Sequence, residues 1–270
     1  VDATDDDFLM DKRQLAGVIT ARTRAIIPVH LYGKPAPMDP ILQLADAQRL
    51  LVIEDAAQAH GASIASKRVG SFGACGCFSF HPSKNLAAAG DAGAIVTNSR
   101  LLAEKIELYR GLGQRRQNEH SLVGLNTKLD GLQAAVLSDK LPKLDTWNAA
   151  RAQVADWYRQ DLQGCPVSFQ GLSHDTVQVY HLLPVRTPRR DAMLSFLRAE
   201  GVDAVVRYPT PIHLQPAFEN YGWQSGQFPV SESLARELLC LPIRPDMQRF
   251  EVAYVTERIK KFVANRANAA

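Results

Sequence analysis

Three short apolar runs, Leu51–Ile53, Cys75–Phe80 and Ala92–Thr97, fall within the stretch LVIEDAAQAHGASIASKRVGSFGACGCFSFHPSKNLAAAGDAGAIVTN at Leu51–Asn98. Their length and their β-branched and aromatic content predict buried strands. Asp55 closes the first run, so it stands at the carboxyl end of a strand, where open α/β sheets form their ligand crevice. Ser79, His81 and Lys84 leave the second run by the same edge. An acid and a lysine on one rim imply a shared ligand.

The flanking sequence extends this into an alternating α/β pattern. A helix is expected over Asp11–Thr20 and a strand over Ala25–His30. Asp39 and Pro40 make a helix start, with Ile41, Leu44 and Ala45 at helical spacing ahead of the strand at Leu51. Strand, helix, strand at this length is a parallel crossover. Ser99 can cap a helix carrying Leu102, Ile106 and Tyr109. Asp130 opens a long helical region whose stripe of Leu132, Val136, Leu144, Trp147, Val154 and Tyr158 is interrupted at Pro142. Gly164 and Pro166 then mark a change. The expected organisation is a large α/β domain with a bridging helix over 1–163, and a smaller α+β domain over 164–270. In the second part, Val177–Val185 and Val202–Arg207 read as strands. Helices are expected from Asp191 to Gly201, over Glu232–Leu239 and over Phe250–Val263.

Charge and cysteine usage exclude several classes. A net charge of +3 with scattered Arg and Lys is no nucleic-acid footprint. Cys75, Cys77, Cys165 and Cys240 lack a metal-ligand spacing, and Cys75 and Cys77 share one strand face as small hydrophobes. No apolar run spans a bilayer and Val1–Asp11 has no basic-then-apolar leader, so a cytoplasmic protein with no membrane contact is expected. No GxGxxG follows the first strand, which argues against a nicotinamide-binding Rossmann protein.

The blocks EDAAQAHGA (54–62), FSFHPSKNL (78–86) and GDAGAIVTN (90–98) are joined by IIPVHLYG (26–33), RYPTPIH (207–213) and further segments in one order. Together they resemble the DegT/DnrJ/EryC1/StrS sugar aminotransferases, fold-type-I enzymes that use pyridoxal 5'-phosphate (PLP). The resemblance implies a three-layer, mostly parallel sheet, with the usual N-terminal portion of the family pattern absent, and a smaller C-terminal α+β domain. It implies transfer of an amino group from glutamate to a nucleotide-linked keto sugar, in a homodimer. Lys84 takes the position of the PLP-bearing lysine, which forms a Schiff base and moves protons. Asp55 takes that of the partner of the pyridine nitrogen, Gln58 lies beside the phenolic oxygen, and Ser79 resembles the phosphate-binding hydroxyl. Asn126 resembles an asparagine that reaches the phosphate of the neighbouring subunit, and His213 borders the substrate. For His60, His81 and His213 alike, a packed structural role stands beside a site role.

Some positions depart from the family pattern. Ala87, Ala89 and Ala92 stand in a normally glycine-rich run where glycine, an aromatic residue and glycine are common, and alanine is strained in place of the glycines if they require positive φ. Leu125, Lys128, Gly131 and Arg207 stand where tyrosine, arginine, glutamate and histidine are common. A family dehydratase carries histidine at the lysine position, so Lys84 argues against that activity. The remaining alternative is a shortened, non-catalytic member acting as a dimerising or sensor module.

Overall fold

A computed structural model describes residues 1–264. Its central sheet has the strand order Ala25–Ile26, Leu51–Asp55, Cys75–Ser79, Gly93–Val96. The first three run parallel and the last pairs antiparallel to Cys75–Ser79. The helix Met38–Ala47 makes the expected crossover and packs Met38, Ile41 and Ala45 against Ile26 and Val52. It starts earlier than expected: Pro37 is the N-cap, and Asp39 lies in the first turn.

Glu54 organises the sheet's interior. It is fully buried, and its carboxylate accepts from the backbone N–H of Gly70, Phe72 and Gly73, each at 2.7 Å. His30 completes the set: its Nδ1 accepts from Ala36 N–H at 2.9 Å, so Nε2 carries the proton and donates to Glu54 at 3.1 Å. Burial acts to raise the Glu54 pKa, but the bonds from His30, Gly73 and Gly70 outweigh it and hold the group below the ordinary glutamate value. One carboxylate thereby fixes both the loop ahead of the Cys75–Ser79 strand and the segment ahead of the Met38–Ala47 helix.

Several elements differ from the sequence expectation. The Asp11–Thr20 helix is only a 3-10 turn, Lys12–Gln14, and one α turn, Leu15–Val18, with Asp11 accepting from Arg13 N–H at 3.0 Å as the cap. The third apolar run is an edge strand with Ile95 and Val96 exposed, not a buried strand. The expected Val177–Val185 strand breaks at Tyr180, whose φ is +46°. Thr176–Val177 pairs with Ser63–Ile64, while Leu183–Arg186 lies between Leu238–Leu241 and Ser168–Phe169 in a separate antiparallel sheet. Val202–Arg207 makes only one bridge, Val205 to Cys240, because Tyr208 turns the chain away at φ +56° ahead of Pro209. The helix expected over Glu232–Leu239 spans Pro229–Glu237, and Leu238 already belongs to a fully buried strand.

Other expectations hold in detail. Ser99 Oγ accepts from Leu102 N–H and caps Arg100–Arg110. The region after Asp130 divides into Gly131–Lys140 and Leu144–Asp161 around a 3-10 turn at Pro142, although Leu132 is exposed. The largest core joins Val154 and Tyr158 to Leu183, Leu197, Leu239, and the Val252, Val255, Ile259 and Phe262 face of Arg249–Ala264. Asp2 stitches the beginning of the chain to this C-terminal part, accepting from the first-turn N–H groups of Val230 and Ser231 at 2.9 Å each.

Replacing Glu54 with Gln turns one acceptor into a donor facing N–H groups and is expected to destabilise the fold by about 2–4 kcal/mol, measured by urea unfolding. Because the folded pKa of Glu54 is depressed, its contribution is complete above the unfolded value near 4.5 and is lost as pH falls through the folded one. The variant should lack this part of the acid dependence.

Candidate active site

Asp55 ends its strand with its N–H donating to Pro28 O at 2.9 Å and its carbonyl accepting from His30 N–H at 3.0 Å. The next residue but one, Ala57, donates its N–H to Asp55 Oδ1 at 3.0 Å, so the carboxylate is aimed by its own turn. Lys84 lies on a turn after the neighbouring strand. Its N–H donates to His81 O at 2.9 Å, and the His81 ring accepts from Ser83 N–H at 3.2 Å. Next to it, buried Asn85 donates to Asn148 Oδ1 at 2.9 Å and Val179 O at 2.8 Å, anchoring the turn to the Leu144–Asp161 helix and to the segment at Val179.

These two side chains meet on a cavity of about 910 Å³ whose lining includes Asp55, Gln58, Lys84, Arg207, Tyr208 and His213. That volume is at the upper end for small-molecule sites. Tyr32, Phe218, Trp223 and Phe228 supply aromatic walls. Burial pushes the Lys84 amine below its ordinary pKa; the charge of Asp55 opposes the shift and that of Arg207 adds to it. The amine makes no hydrogen bond with any described residue.

Gln58 is buried and uses both ends of its amide. Its Oε1 accepts from Tyr32 N–H at 2.7 Å and its Nε2 donates to Tyr208 Oη at 2.6 Å. Tyr32 and Tyr208 both have positive φ, +62° and +56°. Gly33 brings the two parts of the chain together: at φ +92° its Cα faces Val179 and the N–H groups of Tyr180 and His181, and a Cβ there would stand 2.9–3.0 Å from them.

His213 also lines the cavity, but its Nε2 bonds Glu232 Oε1 at 3.1 Å and its ring packs on Phe228 at 4.7 Å. Burial acts to raise the Glu232 pKa, but bonds from Gly226, His213, Ser225 and Phe228 together hold it below the ordinary value. His60 is buried between Phe78 and Phe80 with its pKa pushed down to about 4 by burial, and His81 braces its own turn. Neither lines the cavity.

Ser79 and Asn126 are not among the lining residues. Ser79 Oγ accepts from His81 N–H at 3.3 Å, and Asn126 lies on an exposed segment bridged through its backbone to Gly111. Neither glycine replacement, Ala87 or Ala92, has positive φ, so the condition for strain there is not met. Tyr32, Tyr208 and Trp223 were not legible as site residues. Tyr32 and Tyr208 lie within quoted blocks, yet nothing in a sequence marks a tyrosine for left-handed backbone, and Trp223 lies outside those blocks.

The DegT/DnrJ/EryC1/StrS aminotransferase family model matches residues 1–260, and the chain belongs to this family. It is 42% identical over 271 aligned residues to the dTDP-3-amino-3,4,6-trideoxy-alpha-D-glucose transaminase of Streptomyces venezuelae, covering 100% of this chain and 71% of that one. The crystal structure of S. venezuelae DesV in complex with a ketimine intermediate superposes with a TM-score of 0.94 at 42% identity, over 97% of this chain and 71% of the other. NtdA of Bacillus subtilis, solved with bound cofactor PMP, gives a TM-score of 0.89 at 31% identity, over 98% of this chain and 62% of the other. The fold is thus the fold-type-I α/β class of PLP-dependent aminotransferases.

Tyr208→Phe removes the acceptor of the Gln58 amide and should cost the loop about 1 kcal/mol of local stability. Hydrogen exchange of the 207–213 backbone is expected to speed up about five-fold, while the central sheet keeps its protection.

Proposed function

We propose that this chain is a PLP-dependent aminotransferase that moves an amino group from glutamate to a nucleotide-linked keto sugar. The observation that carries this reading is the pairing of Lys84 and Asp55 on one cavity, the lysine amine without a hydrogen-bond partner among the described residues and pushed toward its neutral form. The names of the relatives, transaminases of dTDP- and UDP-linked amino sugars, support the substrate class.

The donor set fits the cofactor. When bound, PLP supplies an aldehyde for an amine and a ring that accepts electrons from the substrate. Lys84 would be the amine that meets this aldehyde, and its own chemistry would be to take the proton from the donor's Cα and return it as general base and acid. Asp55 would hold a proton on the pyridine nitrogen. Gln58 holds Tyr32 and Tyr208 in place, and it would lie beside the phenolic oxygen of the bound ring. Ser79 is assigned to the phosphate from the rim of its strand. His213, steadied by Glu232, borders the sugar.

Asn126 is assigned to the phosphate in the neighbouring subunit of a homodimer. The exposed apolar side chains beside it, Val123 and Leu125, support burial against a second copy. The division into 1–163 and 164–270 belongs to the same reading, with Lys84 and Asp55 from the first part and Arg207 to His213 from the second facing one cavity. A cytoplasmic location belongs to the same reading. No described helix is long and apolar enough to cross a membrane.

Lys84→Ala should lower glutamate-dependent transamination by about 10³-fold or more, and abolish the visible PLP band that borohydride fixes to the chain. Asp55→Asn should keep that band and lose about 10²-fold in rate. A Lys84→Ala chain that still fixes the band would sink the assignment.

A further inference from the structure

The segment that follows Tyr208 has little of its own to hold its shape. It consists of two 3-10 turns, Ile212–Leu214 and Pro216–Tyr221, and left-handed glycines at Gly222 and Gly226, with φ +74° and +90°. No described strand pairs with it. Apart from bonds to Glu232, the hydrogen bonds that residues 209–227 make with described residues all stay inside the segment. One carboxylate is therefore its polar tie to the rest of the chain.

Glu232 is only 6% exposed and lies in the first turn of Pro229–Glu237, where the helix N-terminus favours a negative charge. Its Oε1 accepts from His213 Nε2 at 3.1 Å, from Gly226 N–H at 2.7 Å and from Phe228 N–H at 3.4 Å. Its Oε2 accepts from Ser225 Oγ at 3.1 Å. These donors come from both ends of the segment, so the carboxylate closes it into a loop. What it closes is a wall of the cavity. The rings of His213 and Phe228 lie 4.7 Å apart, Trp223 meets Phe228 at 5.5 Å, and all three line the cavity that holds Asp55 and Lys84. Trp223 remains 46% exposed, so the wall offers aromatic surface to a ligand.

Aromatic faces suit a flat base or the apolar face of a sugar ring, and a small, charged donor such as glutamate gains little from them. Resting on the proposed function, the ligand of this wall is the acceptor. We propose that Glu232 is a positioning residue for the nucleotide-linked sugar: it holds His213, Trp223 and Phe228 as one preformed wall and sets acceptor affinity without touching the reacting atoms. It acts through its pattern of bonds. A glutamine in its place keeps one oxygen for the three N–H donors and turns an NH2 toward Ser225, whose hydroxyl rotates to accept. An alanine removes all four bonds.

The test uses dTDP-glucose and UDP-glucose as probes, neither of which has a keto group to react. Titration calorimetry of the PLP-loaded chain gives their Kd, and loss of the visible band with L-glutamate reports the donor half-reaction separately. Glu232→Ala should weaken the better-bound probe about 10- to 100-fold and leave the rate with glutamate within about two-fold of wild type. Glu232→Gln should restore probe affinity to within about three-fold.

Unchanged probe affinity in Glu232→Ala overturns the proposal. A loss that falls equally on the glutamate half-reaction also overturns it, assigning Glu232 to the general stability of the site. A Glu232→Gln chain as weak as the alanine variant overturns it too, assigning the effect to charge. A wild-type chain that reacts with glutamate but binds neither probe overturns the proposal and leaves an aminotransferase with a different acceptor. A wild-type chain that forms no borohydride-fixed band overturns the reading of the site and this proposal with it.

Discussion

The buried carboxylate of Glu54 is the interaction on which the rest depends. Four donors converge on it from His30, Gly70, Phe72 and Gly73. An unpaired carboxylate there would be prohibitively costly, so the group locks its surroundings into one arrangement. Its neighbour in sequence, Asp55, points the other way along the pleat and inherits that rigidity. The reactive acid is held by a strand whose buried face is fixed through a different acid.

The second constraint joins the two parts of the chain across the cavity. Gly33 lets the segment after the first strand press against Val179 to His181, and Asn85 ties the Lys84 turn to the same segment through Val179 O. Gln58 then reaches from the sheet edge to Tyr208 in the C-terminal part. Lys84 and Asp55 come from the sheet, Arg207 and His213 from beyond the Leu144–Asp161 helix, and these contacts bring all four to one cavity. The site needs both parts packed as they are.

What could be read from the sequence follows from this physics. The rim positions of Asp55 and Lys84 were legible because a short apolar run followed by a polar residue marks the end of a buried strand. Helix ends at Ser99 and the break at Pro142 were legible because capping and proline chemistry is local. Left-handed backbone at Tyr32, Tyr180 and Tyr208 was not, since tertiary contacts impose it against local preference. That is also why the strands expected through Tyr180 and up to Arg207 break. Ile95 and Val96 misled for a further reason: apolarity marks a strand but does not say whether its outer edge is covered.

Two lysines have amines pushed below their ordinary pKa, mainly by burial, and the contrast between them defines the site. Lys34 is sealed, donating to Gly171 O with Asp6 and Asp7 near, whereas Lys84 opens on the cavity. The most direct measurement is peptide mapping by mass spectrometry of the chain reduced with borohydride in the presence of PLP. A pyridoxyl group on the peptide that contains Lys84, and none on Lys34, is the expected result. A group on Lys34, or one spread over exposed lysines such as Lys67 and Lys105, would contradict Lys84 as the residue that carries the chemistry.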